Sequence, residues 1–359
     1  MNYLTSIRGI AALLVVLYHI KPSLLANEYT SSFSWLYGKG YLAVDFFFIL
    51  SGFIIAYKYQ ALFQNSFSLS DYRSFMVKRI ARVFPLHAFV MLCYLFIPLA
   101  FFITQRSIDS SVYRFDTFFV KFFLVDLWLL GNDYWDAWNI PSWTISGELF
   151  AYLIFPLLAV IVCIHKKLKY LIFMVAVVSI ATLYEIFDSR SLGGNISHLG
   201  LFRCLLEFLC GICIYNIFMS IRDRAKQEIC HVVFWLVAVL LGLLMYFFTE
   251  NHFFVPLLFS ALLLMLLNFR SWLHKILENK YLVILGDISY SVYLNHMLVL
   301  TLYTMIIINN GELLALVDIF YYITITLLFS LVTYKYVEVP LRKQICDKTL
   351  GKHQAKENN

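Results

Sequence analysis

The chain predicts an all-α fold, a polytopic bundle of transmembrane helices, and three observations predict it. Apolar residues make up 61% of its 359 positions and charged residues 14%, against about 45–50% and about 25% in ordinary soluble proteins. Its mean hydropathy is +0.77. The apolar residues gather in runs close to the length, about 20 residues, that a helix needs to cross hydrocarbon.

About ten such runs follow one another, near residues 7–25, 41–57, 83–104, 142–164, 170–187, 200–219, 232–248, 255–269, 284–308 and 316–336. An eleventh, 118–130, is too short to span comfortably. Basic residues decide its placement through the positive-inside rule. Lys58, Arg73, Lys78, Arg79 and Arg82 form one cluster, and Lys166, Lys167 and Lys169 a second. Arg222, Arg224 and Lys226 form a third, Arg270, Lys275 and Lys280 a fourth, and Arg342, Lys343, Lys348, Lys352 and Lys356 a fifth. All five share one side only if 118–130 does not cross, so it is expected as a re-entrant or surface segment. Both termini then face the cytoplasm. Residues 1–341 read as one transmembrane domain and 342–359 as a basic cytoplasmic tail. Arg8, inside the first apolar run, argues against a cleaved signal peptide.

The net charge of +6 is accounted for by these loops and calls for no nucleic-acid partner. Cys210 and Cys213 form C-x-x-C in the middle of a span, where small apolar packing is the plainer reading. No metal site is expected.

The charged residues inside the apolar runs carry the functional information, because burying them in a bilayer is costly. Arg8 and His19 are eleven residues apart. At about 100° per residue this is three turns plus roughly 20°, so both lie on one stripe of one helix, about 16 Å apart. The topology puts Arg8 near the cytoplasmic face and His19 past the midplane. Arg79 and Arg82, spaced i, i+3, share a helix face at the cytoplasmic mouth of the third span. Asp45, Trp143 and Glu148 fall in the outer parts of their spans, and His296 lies well inside its own. Arg203 and Glu207, spaced i, i+4, are expected to pair with each other. Ser51-Gly52 permits close helix packing, and Tyr290 and Tyr293 read as packing residues.

Guanidinium forks suit phosphate oxygens, and a histidine at depth suits proton transfer near neutral pH. A long ligand with phosphates at one end and a reactive group at the other matches this layout. Coenzyme A thioesters have that shape; a phosphate-bearing lipid or a sugar nucleotide also fits.

Five segments, in order along nearly the whole chain, resemble the acyltransferase-3 family of integral membrane acyltransferases. Leu4-Thr-Ser-Ile-Arg-Gly-Ile-Ala-Ala-Leu-Leu-Val-Val-Leu-Tyr-His19 is similar to its opening motif, an arginine, ten residues and a histidine. Ala43-Val-Asp-Phe-Phe-Phe-Ile-Leu-Ser-Gly-Phe-Ile-Ile55 resembles its second-span motif, and Arg79-Ile-Ala-Arg-Val-Phe-Pro85 its R-x-x-R segment. Pro141-Ser-Trp-Thr-Ile-Ser-Gly-Glu148 and Leu285-Gly-Asp-Ile-Ser-Tyr-Ser-Val-Tyr-Leu-Asn-His296 resemble its two later motifs. Thr5 stands where the family often has an acid. Asn295 and Met297–Leu298 replace the Trp and Pro common around its late histidine.

The resemblance implies an O-acyltransferase that moves acetyl from cytoplasmic acetyl-CoA, a co-substrate, to a hydroxyl of a lipid-linked or surface saccharide. It implies a multi-pass protein of the bacterial cytoplasmic (inner) membrane whose partners are acyl-CoA, the saccharide and the bilayer. His19 is the implied catalytic histidine, as general base or through a transient acyl-imidazole, with Arg8 its functional partner. Glu148 is the expected residue to orient His19 or hold the acceptor. Arg79 and Arg82 are expected on the CoA phosphates, with Ser51 beside them. Asp45, Trp143 and His296 are the expected acceptor contacts. The competing reading from the residues alone is a transporter or flippase for an anionic lipid or glycan intermediate. A scaffold without chemistry would leave the Arg8–His19 stripe unexplained.

Overall fold

A computed structural model describes residues 1–20, 38–103, 112–165, 167–248, 250, 252–307 and 314–351. The described chain is helical. In order the helices are α1 (Asn2–His19), α2 (Ala43–Phe63), α3 (Leu69–Tyr94), α4 (Phe96–Ile103), α5 (Phe115–Phe122), α6 (Ser142–Cys163), α7 (Leu168–Ile186) and α8 (Ile196–Ile221). There follow α9 (Gln227–Phe247), α10 (Val255–Leu267), α11 (Trp272–Leu277), α12 (Lys280–Asp287), α13 (Ser289–Ile307), α14 (Leu316–Thr333) and α15 (Val339–Leu350).

Among the described residues, 7 helical units are long and apolar enough to cross a membrane, or 8 if α12 and α13, bent by 64° at Ile288, count as one broken span. The sequence suggested about ten. The other two apolar runs are present as helices outside that set. α1 carries Asn2, Arg8 and His19, which lower its hydropathy, and α10 has only 13 residues.

The bundle is layered around α2. Two-thirds of α2 (67%) is buried, against 11% of α9. α9 turns Leu236, Val239, Leu243 and Phe247 outward, a continuous apolar face that suits contact with hydrocarbon rather than water. Small residues set the closest crossings. A Cβ on Gly52 would stand 2.0 Å from the Phe208 carbonyl oxygen, and one on Gly211 2.0 Å from that of Ile49, so α2 and α8 touch backbone to backbone. Gly9 and Gly286 do the same for α1 and α12. This matches the small-residue packing expected at Ser51-Gly52.

The 118–130 segment does not span. It forms the short α5 and a 3-10 turn at Asp126–Trp128. Lys121 and Asp126, whose side chains are both fully buried, pair at 3.1 Å beneath it. Residues 342–350, the start of the expected tail, are helical and belong to α15, which packs along α3. α14 reaches α15 through one turn of π-helix, Tyr334–Glu338. Residues 352–359 of the expected tail lie outside the described residues.

Candidate active site

Four helices bring the predicted residues into one cavity. α1 contributes Arg8, α2 contributes Ser51, α3 contributes Arg79 and Arg82, and α6 contributes Glu148. Tyr152, Tyr290 and Tyr293 join them in its wall. The bend at Ile288 makes Ser289 and Tyr290 the start of α13 and turns both toward the cavity.

The cavity is cationic, and its guanidinium groups are held differently. Nε of Arg8 is buried and finds no hydrogen-bond partner among the described residues. Arg79 donates to the Tyr59 hydroxyl at 2.9 Å and lies over that ring, 5.0 Å from its centre. Arg82 pairs with Glu338, a carboxylate that is only 1% exposed and also accepts from Ser291 Oγ at 2.7 Å. The π-turn carries Glu338, so one residue of extra helix aims this acid at Arg82. Lys58 and Arg342 lie close enough to add their charge to these three arginines. Sequence reading gave Lys58 and Arg342 only a topological role, and it noted Glu338 within Glu338-Val-Pro340, which also fits the family resemblance, without assigning it a partner.

Glu148 does not meet His19. Its carboxylate accepts from Ser51 Oγ, which Tyr152 approaches at 3.4 Å. The group against His19 is His296. Nε2 of His296 lies 3.2 Å from Nδ1 of His19, with ring centres 4.8 Å apart. Two backbone carbonyls fix the tautomers. Val15 O lies 2.9 Å from His19 Nδ1, and Tyr293 O lies 2.7 Å from His296 Nδ1. A carbonyl only accepts, so both Nδ1 atoms carry hydrogen. Nε2 of His296 then holds a lone pair and shares the His19 Nδ1–H with the closer Val15 carbonyl. Nε2 of His19 is left as its basic nitrogen. His296 is fully buried and His19 half-buried.

His19 is not among the described residues that line the guanidinium cavity. The cavity ends on Val44, Phe47 and Tyr293, and the Tyr293 ring stands 5.9 Å from that of His296. Tyr293 therefore separates the two halves and touches both. The packing role read for Tyr290 and Tyr293 understates their position.

Asp45 and Trp143 sit elsewhere, in an assembly around Arg203. Asp45 takes both arms of that guanidinium, at 2.8 and 2.7 Å, and Leu192 O takes a third bond at 2.7 Å. The Trp143 ring lies 5.9 Å from the guanidinium carbon. Asp45 is 0% and Trp143 6% exposed, both occupied within this assembly. Glu207, the expected partner of Arg203, forms the i, i+4 ion pair at 3.7 Å, longer than the two bonds to Asp45.

These features define a helical-bundle protein with a phosphate-suited cavity abutting a histidine pair. The profile of the acyltransferase-3 family, an acyltransferase domain, matches residues 1–335. The chain belongs to that family. It is 24% identical over 370 residues to O-acetyltransferase OatA of Staphylococcus aureus, covering 95% of this chain and 57% of that protein. It is 26% identical over 376 residues to the Bacillus subtilis protein named "Putative peptidoglycan O-acetyltransferase YrhL", covering 95% and 55%. A second Staphylococcus aureus relative, named "Putative O-acetyltransferase", is 23% identical over 366 residues, covering 95% and 57%. The chain thus spans little more than half the length of these relatives. No solved structure matches it.

Proposed function

We propose that this protein is a membrane-embedded O-acyltransferase that moves acetyl from cytoplasmic acetyl-CoA to a hydroxyl of a lipid-linked or surface saccharide. One observation carries the reading: three arginines share a cavity whose inner wall, Tyr293, backs onto a histidine pair of defined tautomer. The names of the relatives support it, one of them specifying peptidoglycan.

The CoA phosphates sit against Arg79 and Arg82, with Arg8 deeper and Lys58 and Arg342 at the rim. The pantetheine arm runs past Ser51 and Glu148. Glu148 is a countercharge within the arginine cluster, since its bond goes to Ser51. At the tip, His19 Nε2 takes the proton of the acceptor hydroxyl as that oxygen attacks the thioester carbonyl. The tetrahedral centre collapses, the C–S bond breaks, and the CoA thiolate leaves with the proton from the imidazolium. His296 accepts from Nδ1–H throughout and holds the ring in place. Asp45 and Trp143 belong to the structural assembly on Arg203.

The test is acyl transfer by purified protein in lipid nanodiscs, from [14C]acetyl-CoA to peptidoglycan glycan strands and to lipid-linked saccharide. His19→Ala is expected to lower turnover by about 10²–10⁴-fold, the span of general-base contributions. Full activity in that variant removes His19 from the chemistry. Movement of lipid-linked saccharide across liposomes without any acyl-CoA replaces the enzyme by a transporter.

A further inference from the structure

Phe47, on α2, meets Tyr293 edge-on at the inner end of the cavity, with ring centres 5.9 Å apart. Tyr293 is the fixed partner. It is buried, and its hydroxyl donates to Thr144 Oγ1 at 2.9 Å, while Thr144 sends its own hydrogen to Pro141 O at 2.9 Å. Phe47 is half-buried and has no polar group to anchor it, so it is the ring that can yield. Behind Tyr293 stands His296, and against His296 stands His19. We propose that Phe47 and Tyr293 form the seat that measures the acyl group of the donor, admitting two carbons and rejecting longer chains. The proposal rests on the acyl-CoA reading above and deepens it by naming what sets the donor class.

The physical argument is one of volume. The acyl tip enters where two aromatic edges already touch, so each added methylene must displace Phe47 further against the close-packed groups behind it. A single methylene in such a pocket changes affinity by about 10–200-fold. No acceptor is needed to read this. The whole protein in nanodiscs is given tritiated CoA, and S-ethyl-CoA and S-butyl-CoA compete for it as stable stand-ins for two- and four-carbon donors. In the wild type S-butyl-CoA is expected to bind at least about tenfold more weakly than S-ethyl-CoA, and Phe47→Ala to bring the two within about twofold. Phe47→Leu, a milder change, is expected to fall between. A wild-type size-exclusion profile and wild-type thermal unfolding report that each variant is folded.

An unchanged S-ethyl to S-butyl ratio in both variants, with CoA bound, overturns the seat while leaving the acyl-CoA reading in place. Loss of CoA binding by both variants also overturns it, because Phe47 would then act beyond the acyl tip. Failure of the wild type to bind CoA at all removes the acyl-CoA reading itself.

Discussion

In the mechanism we propose, His296 acts through another residue. The bond from His19 Nδ1 to His296 Nε2 and the bond from His296 Nδ1 to the Tyr293 carbonyl fix one ring by the other. His296→Ala is therefore expected to lower kcat by about 10²-fold, as a small misplacement of a reacting group does, with KM for acetyl-CoA unchanged. His296→Gln, whose amide oxygen can accept the same hydrogen, is expected to recover part of the loss. A rise in acceptor KM at constant kcat would return His296 to the acceptor site that the sequence suggested. At the other end, Arg82→Ala removes a charge-assisted contact to phosphate and is expected to raise KM for acetyl-CoA by about 10–100-fold, from about 1.5–3 kcal/mol. A KM that stays put would show that Glu338 claims this arginine fully. Asp45→Asn leaves the Arg203 charge buried with half its partner lost. Breaking such a pair costs about 3–5 kcal/mol, visible as a lower unfolding temperature in detergent. Unchanged stability with a raised acceptor KM would make Asp45 a binding residue after all.

At the scale of helices, the α2–α8 crossing is where a single methyl group does most damage. A side chain at Gly211 would overlap the Ile49 carbonyl and the Phe53 amide, both backbone. Gly211→Val is expected to separate the helices and to leave protein that aggregates on extraction, read by size-exclusion profile. A monodisperse variant with wild-type thermal stability would show that the crossing has slack. This scale also separates what the sequence makes legible from what it hides. Periodicity within one helix was readable: Arg8 and His19 do share α1, and Arg79 and Arg82 do line one cavity together. Register between helices was not. Glu148 lies on the expected span yet faces Ser51, because nothing in linear order fixes the rotation of α6 against α1. The Arg203–Glu207 pair was legible, but the closer partner of Arg203 was not, for a related reason. A carboxylate one turn along the same helix approaches a guanidinium from the side, whereas Asp45, on α2, can present both oxygens to the fork. The pairing of Glu338 with Arg82 was hidden because a π-turn leaves no trace in hydrophobic spacing.

For the whole molecule, composition sufficed to fix an all-helical bundle, and the in-order motifs sufficed to place the chain in its family. The count of spans was less legible, since Arg8 and His19 lower the hydropathy of α1 and α12–α13 breaks in mid-course. The orientation expected from the basic clusters has a direct readout. Cys346, on α15, is a free, half-buried thiol in a segment of mixed charge, while the other free thiols sit in apolar helices. A membrane-impermeant maleimide is expected to label Cys346 in inverted vesicles and to spare it in intact cells. Labelling in intact cells would invert the topology and with it the side from which the donor arrives. The edge-on contact of Phe47 with Tyr293 has one more consequence. Ionisable side chains run from the inner mouth to Glu148 and resume at the histidine pair, a layout that in a bilayer would conduct protons down the membrane potential. Phe47 offers no proton-carrying group at that contact and the Tyr293 hydroxyl is already engaged by Thr144, which would leave the row broken between the two regions.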